Sequence, residues 1–277
     1  MLTSGNATFR NIRSVRRGAD TTAVNGQQFN ALGGVGMREI TVMFDLDGTL
    51  LPMDNERFTK AYFKLLTRKL EPLGFDAGEL TDAVWAGTGA MVRNNGKRTN
   101  EEVFRERFTG LIGERAEKAW PVFDEFYRNE FNELKKVCGV NSKAAETVAM
   151  LRREGFGLVL ASNPIFPMTA QEARVRWAGL SPEDFSYITS YENSSFCKPN
   201  PEYFRDTARK AGCRPLECVM VGNDVNEDTP AMKSGMRVFL LTDCLINKEG
   251  FDISYYNNGN YDELAAFISS IKKEREA

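Results

Sequence analysis

From Ile40 to Phe44 the chain reads Ile-Thr-Val-Met-Phe and then stops abruptly at Asp45. A short apolar run with β-branched residues, ended by a polar group, is what a strand buried on both faces of a parallel sheet requires. Comparable runs recur at 156–161, 218–221 and 238–241, with a weaker one at 187–190. Helical patterns lie between the later runs, at 200–211 and 228–234. Strands alternating with helices predict an α/β fold, a three-layer Rossmann-like parallel sheet with right-handed crossovers. Such sheets bind ligands at the carboxyl ends of their strands. Asp45, Ser162 and Asp224, far apart in sequence, are therefore expected at one sheet edge.

The interval from about residue 53 to 140 breaks this alternation. Its apolar positions recur at helical spacing: Phe58, Tyr62, Leu65 and Leu66; then Leu80, Val84 and Met91; then Val103, Phe104, Phe108 and Leu111; then Phe123, Phe126, Phe131 and Leu134. Thr99 followed by Glu102 makes a capping-box start for the third of these helices. An all-helical cap domain over 53–140 is expected, inserted into an α/β core of 37–52 and 141–277. Residues 1–36 differ from both, with four arginines (Arg10, Arg13, Arg16, Arg17) against the single acid Asp20 and no sustained apolar periodicity. They read as a disordered N-terminal extension. Their Arg-rich, acid-poor make-up resembles an organellar transit peptide, and an extension upstream of a second start at Met37 is the plainer reading.

Composition narrows the functional classes. With 42% hydrophobic and 27% charged residues, the 277-residue chain is suited to a packed globular enzyme. A formal net charge of -2 with both signs interspersed leaves no electrostatic footprint for nucleic acid or an anionic membrane, so a small-molecule substrate is expected. Five cysteines without a CxxC pair argue against a disulfide framework and a zinc site. No apolar run approaches the roughly 18 to 20 residues of a membrane span. A reducing, cytoplasmic setting is expected. Histidine is absent, which removes Ser-His and Cys-His pairs and leaves carboxylates or lysine to move protons.

The carboxylates stand out at Phe44-Asp45-Leu46-Asp47-Gly48-Thr49-Leu50. Acids at i and i+2 leaving a strand share one side, and Gly48 permits the sharp turn that aims both at one point. A strand-end Asp-x-Asp taken alone also reads as a hydrated turn. This heptapeptide resembles the first motif of the haloacid dehalogenase-like superfamily, and three further segments resemble the other motifs in order. They are Leu160-Ala161-Ser162-Asn163, then Lys198-Pro199-Asn200-Pro201-Glu202-Tyr203-Phe204, then Val221-Gly222-Asn223-Asp224-Val225-Asn226-Glu227-Asp228. The resemblance spans residues 40 to about 242.

Carried onto these positions, the resemblance implies a phosphatase in which Asp45 is the nucleophile and Asp47 the general acid and base. An aspartate at the second position favours phosphoryl chemistry over dehalogenation. Ser162 and Asn163 with Lys198 would hold the phosphoryl group. Mg²⁺ would be bound by Asp45, the carbonyl of Asp47, and Asp224. The family's pattern places an acid directly after the glycine, where this chain has Asn223, so Asp224 is taken as the direct ligand. Asn223 and Asp228 would act one step removed, with Glu227 as the rival of Asp228. Within the insert, Arg93, Lys97 and Arg98 are expected to recognise the leaving group, although the same loop also reads as a solvated turn. A sugar phosphomutase and a non-catalytic phosphometabolite-binding module are the alternative readings. Phosphonate cleavage would need an additional amine that the motifs do not single out.

Overall fold

The computed structural model describes residues 40–276; the extension expected over residues 1–36 lies outside the described residues. In chain order the elements are β1 (Thr41–Phe44), α1 (Asn55–Leu70), α2 (Ala77–Val92), α3 (Asn100–Ile112), α4 (Arg115–Arg128), α5 (Ser142–Arg153), β2 (Gly157–Leu160), α6 (Met168–Trp177), β3 (Tyr187–Ile188), α7 (Pro201–Lys210), β4 (Cys218–Gly222), α8 (Val225–Asp228), β5 (Arg237–Leu241), β6 (Asn257–Gly259) and α9 (Tyr261–Glu276). Short 3-10 turns join several of them, the longest at Glu130–Val137.

The six strands form one sheet in the order β3-β2-β1-β4-β5-β6, with every pairing parallel. The chain winds outward from β1 through β2 to β3, then restarts at β4 on the other side of β1. That reversal between β1 and β4 is the crevice where a doubly wound sheet presents its ligand site. The register is even: Phe44 faces Leu160 on one side and Val221 on the other. The residues following the three strands therefore emerge level with each other.

Alternation along the strands explains why the runs are continuously apolar. Val42, Phe44, Leu158, Leu160, Val219 and Val221 enter one core, which continues into α5, α9 and the inserted helices. Met43, Val159, Met220, Val238 and Leu240 enter the opposite core with Tyr203 and Phe204 of α7. Both faces are covered, so the sheet is the middle of three layers.

The expected strands are all present, with their ends displaced by no more than two residues. β6 was not foreseen, because Asn257-Asn258-Gly259 carries no apolar signal. The segment 228–234 is not one α-helix: α8 ends at Asp228 and a 3-10 turn covers Thr229–Ser234.

The interval between β1 and β2 is helical throughout its regular elements. Thr99 and Glu102 form the reciprocal capping box, and the buried stripe of α3 is Phe104, Phe108 and Ile112. Leu111 lies outside that stripe and is exposed, since the i, i+4, i+8 series continues to Ile112. Aromatic contacts tie this segment to α6 and the loop before it: Phe131 stacks on Trp177 with ring centroids 5.2 Å apart, and Phe58 meets Phe166 edge-on at 6.4 Å. Its two connections to the sheet run side by side, with Met53 bridging Cys138 and the Gly139 amide donating to the Pro52 carbonyl at 2.6 Å. Asp54 caps α1 through the Arg57 amide. All five cysteines are free thiols. No described helix is long and apolar enough to cross a membrane.

Candidate active site

Asp45 is the first residue beyond β1, its amide held at 2.8 Å by the Val221 carbonyl of β4. Behind it the chain reverses at Gly48, which has φ of 81°. A Cβ at Gly48 would collide with the Asn223 side chain, so the turn needs both the positive φ and the missing side chain. Leu46 is buried in the core while Asp45 and Asp47 both line the cavity above the sheet edge.

Lys198, in the loop that leads into α7, is fully buried and donates to Asp45 Oδ1 at 2.8 Å and to Asp228 Oδ1 at 2.7 Å. Burial alone would lower the Lys198 pKa, but the Asp228 and Asp45 carboxylates outweigh it and hold the ammonium well above the ordinary lysine value. Burial raises Asp45 above the usual carboxylate range; Lys198 opposes this, and Asp228 and Asp47 add to it. Lys198 therefore fixes one oxygen of Asp45 and leaves Oδ2 as the oxygen it does not engage.

The loop after β4 supplies the remaining acids. Asp224 caps α8 by accepting from the Asn226 and Glu227 amides at 2.8 and 3.0 Å. Asp228 accepts from the Asp224 amide at 3.0 Å, and a Cβ at Gly222 would collide with its carboxylate. Between the two rivals, Asp228 is the one bonded to Lys198, whereas Glu227 accepts from Asn163 Nδ2 at 3.1 Å. Glu227 is pushed up to about 7, chiefly by burial, with Lys198 opposing and Asp228, Asp45 and Asp224 adding to the rise.

Asn223 is used as a tie. Its Oδ1 accepts from the Thr49 hydroxyl at 2.9 Å and its Nδ2 donates to the Cys244 carbonyl at 2.8 Å, joining the loops after β1, β4 and β5. Ser162 is buried beyond β2, its carbonyl held by Thr189 Oγ1 at 2.7 Å and the Tyr203 hydroxyl at 2.8 Å. Ser162, Asn163, Asp45, Asp47, Asn223, Asp224 and Asp228 all line one cavity of about 270 Å³.

Two placements depart from the sequence reading. Arg93, Lys97 and Arg98 are exposed and do not line this cavity. Their loop is pinned instead by its asparagines: Asn94 Nδ2 donates to the Arg98 carbonyl and to Asn100 Oδ1, while Asn100 Nδ2 donates to the Pro164 carbonyl. Arg98 itself pairs with Glu106. The second departure is Arg174 of α6, which the sequence reading missed. Its side chain is fully buried and donates to Asp47 Oδ2 at 2.5 Å. Gln171 accepts from it one turn earlier, and the guanidinium lies 4.5 Å from the centre of the Phe166 ring. An arginine in a helix reads as a solvated residue; the only hint was its place on the buried face with Ala170 and Ala173.

Among the described residues no three acids, cysteines or histidines form a ready-made metal cage. Mg²⁺ does not require one, since it keeps water and substrate oxygens around one or two carboxylates. Asp45, Asp47, Asp224, Glu227 and Asp228 crowd the cavity against the buried cations Lys198 and Arg174. That surplus of hard oxygen donors, with Asp45 and Glu227 both raised, fits a divalent cation held by Asp45 and Asp224.

Known proteins resemble this chain in sequence and in fold. A family model described as haloacid dehalogenase-like hydrolase matches residues 41–235. A glyceraldehyde 3-phosphate phosphatase of Methanothermobacter thermautotrophicus is 31% identical over 116 residues, 39% of this chain; the match spans half of that relative's length. A phosphoglycolate phosphatase of Pectobacterium atrosepticum is 27% identical over 206 residues, covering 73% of this chain and 81% of its own. The solved structure of a 2-haloacid dehalogenase from Pseudomonas syringae pv. tomato shares the fold with a TM-score of 0.55 at 18% identity, over 84% of this chain and 99% of its own. With the family model covering both halves of the switch-point crevice, the chain belongs to the haloacid dehalogenase-like hydrolases.

Proposed function

We propose that this chain is a Mg²⁺-dependent phosphatase that hydrolyses a small phosphorylated metabolite through an aspartyl-phosphate on Asp45. The observation that carries this reading is the clamp of Lys198 on Asp45 Oδ1 at the end of β1, beside Asp47 in the same cavity. The names of the relatives, phosphatases of phosphoglycolate and of glyceraldehyde 3-phosphate, support phosphate-ester chemistry.

In this reading Oδ2 of Asp45 attacks phosphorus and the bond to the leaving alcohol oxygen breaks, while Asp47 gives that oxygen a proton. Asp47 then takes a proton from water as the water oxygen attacks phosphorus, releasing phosphate and restoring the Asp45 carboxylate. Ser162 and the adjacent Asn163 hold phosphoryl oxygens, and Lys198 offsets the charge gathered on phosphate and nucleophile. Bound Mg²⁺, held by Asp45 and Asp224 with the Asp47 carbonyl, supplies charge neutralisation between two anions. Residues 53–140 act as the cap domain on a core of 37–52 and 141–277. The adjacent crossings at Pro52–Met53 and Cys138–Gly139 support a hinge there.

Phosphate release from a panel of phosphorylated sugars, nucleotides and amino acids, with Mg²⁺ and with Asp45→Asn as the blank, tests this function. Release is expected only from the chain that retains Asp45. Full activity in Asp45→Asn overturns the reading.

A further inference from the structure

The cavity that holds the acids does not end at the sheet. It continues between the inserted helices, and there its walls change character: ten of its lining side chains are aromatic. Helices α1 to α4 supply most of them, including Phe63, Trp85, Phe104, Trp120 and Phe123. Phe63 and Trp85 lie 5.5 Å apart at 41°, and Trp120 and Phe123 lie 5.7 Å apart at 31°. Trp85 is 51% exposed although it lines the cavity, so the chamber reaches the surface on that side.

Polar groups that would recognise a second charge are scarce in this half. Arg105 is the one basic side chain among the lining residues. Its Nε is already given to Glu101 at 2.8 Å, and its guanidinium lies 4.6 Å from the centre of the Trp120 ring. The neighbouring Asp124 would repel an anion. The hydroxyls of Tyr62 and Tyr127 are bonded to each other at 2.8 Å. A leaving group with a carboxylate or a second phosphate would lose its hydration here and meet only Arg105, whose charge Glu101 and Asp124 offset.

Resting on the phosphatase reading above, we infer that the leaving alcohol carries one apolar aromatic ring, seated among the side chains of Phe63, Trp85, Phe104 and Trp120. Flat walls of this kind accept a ring by offset or edge-on contact at centroid separations of about 4.5–7 Å. Size limits the occupant. The whole cavity, about 270 Å³, lies just under the roughly 300–1,000 Å³ of pockets that take drug-sized ligands. A phosphate joined to a single ring by a short linker matches that space. Burying a phenyl group should raise kcat/KM by roughly ten- to a hundredfold over the same ester without it.

The test compares kcat/KM of the full chain, with Mg²⁺, for 2-phenylethyl phosphate, ethyl phosphate and phosphoglycolate. The first two are both esters of simple primary alcohols, so a difference between them reports binding of the ring. The expected result is a preference of roughly ten- to a hundredfold for 2-phenylethyl phosphate over ethyl phosphate, with phosphoglycolate no better than ethyl phosphate. Trp85→Ala, at a half-exposed position that tolerates truncation, should shrink the preference severalfold through KM. Equal rates for the two alkyl esters, or a preference for phosphoglycolate, overturn the ring proposal while leaving the phosphatase reading standing. Release from none of the three overturns the ring proposal, and the broader panel with Asp45→Asn as blank then decides whether the phosphatase reading falls as well.

Discussion

Arg174 buries its guanidinium completely and uses it to hold Asp47, 127 residues earlier in the chain, at 2.5 Å. Gln171 and the Phe166 ring brace the arginine in turn. One oxygen of Asp47 is thereby fixed, while Oδ1 is buried without a hydrogen-bond partner. An acid-base group acts only within about 2.6–3.2 Å of the proton it moves, so the arginine's service to the proposed reaction is to aim Asp47.

Arg174→Met should therefore lower kcat by about 10²-fold, the scale of a lost or misplaced proton transfer. KM should change much less. Arg174→Lys should recover part of the loss, because it restores charge without the planar fork. Steady-state kinetics beside a thermal melt check this; unchanged kcat in folded Arg174→Met would show that Asp47 needs no such brace.

Lys198 is the shared partner of two buried acids, and its removal leaves both without their cation. Lys198→Met should destabilise the fold by about 3–5 kcal/mol. Adding Asp228→Leu should cost less than the sum of the two single changes, since the second removes a charge the first had stranded. Urea unfolding of the three variants measures the coupling; additive losses would contradict it.

How far all this was legible in the sequence depends on which physical signal each feature carried. The strand at Thr41–Phe44 and its partners were readable because both faces are buried, which leaves an unbroken apolar run. Asp45, Asp47, Ser162 and Lys198 were readable by resemblance and by their positions at element ends. β6 was silent, because Asn257-Asn258-Gly259 has no apolar side chain to mark it as a strand. Arg174 was hidden because charge normally marks a surface, and nothing local reveals a partner on another loop. Arg93, Lys97 and Arg98 read equally as ligand contacts or as a solvated turn, and they are exposed. Their charge suggested a ligand, whereas the loop's uncharged Asn94 and Asn100 are the residues turned inward. Aromatic positions such as Phe104 and Phe123 read as core, and they are buried; that they also wall a cavity is a property of four helices together.

Glycine positions offer a sharper test of packing. A Cβ at Gly222 would meet the Asp228 carboxylate directly. Gly222→Ala should cost about 1–3 kcal/mol by overpacking and should disturb the Lys198 pair. Gly110, inside α3 with open space around a would-be Cβ, is the control. Gly110→Ala should stabilise by up to about 1 kcal/mol through helix propensity. Equal effects at the two sites would show that the loop after β4 yields freely.

Chelation addresses the metal. EDTA should abolish phosphate release and excess Mg²⁺ should restore it, because the nucleophile and the phosphate are both anionic. Asp224→Asn should raise the Mg²⁺ concentration for half-maximal rate by roughly tenfold or more. Activity indifferent to EDTA would remove Mg²⁺ from the account.

The central claim is covalent chemistry at Asp45, and trapping tests it most directly. Enzyme mixed with a hydrolysed ester and Mg²⁺, quenched in acid during turnover and digested, is examined by mass spectrometry. The account predicts one added phosphoryl group on the peptide containing Asp45, absent from Asp45→Asn, which should also release no phosphate. Turnover at the normal rate by Asp45→Asn, or a phosphoryl group found on another residue, would contradict it.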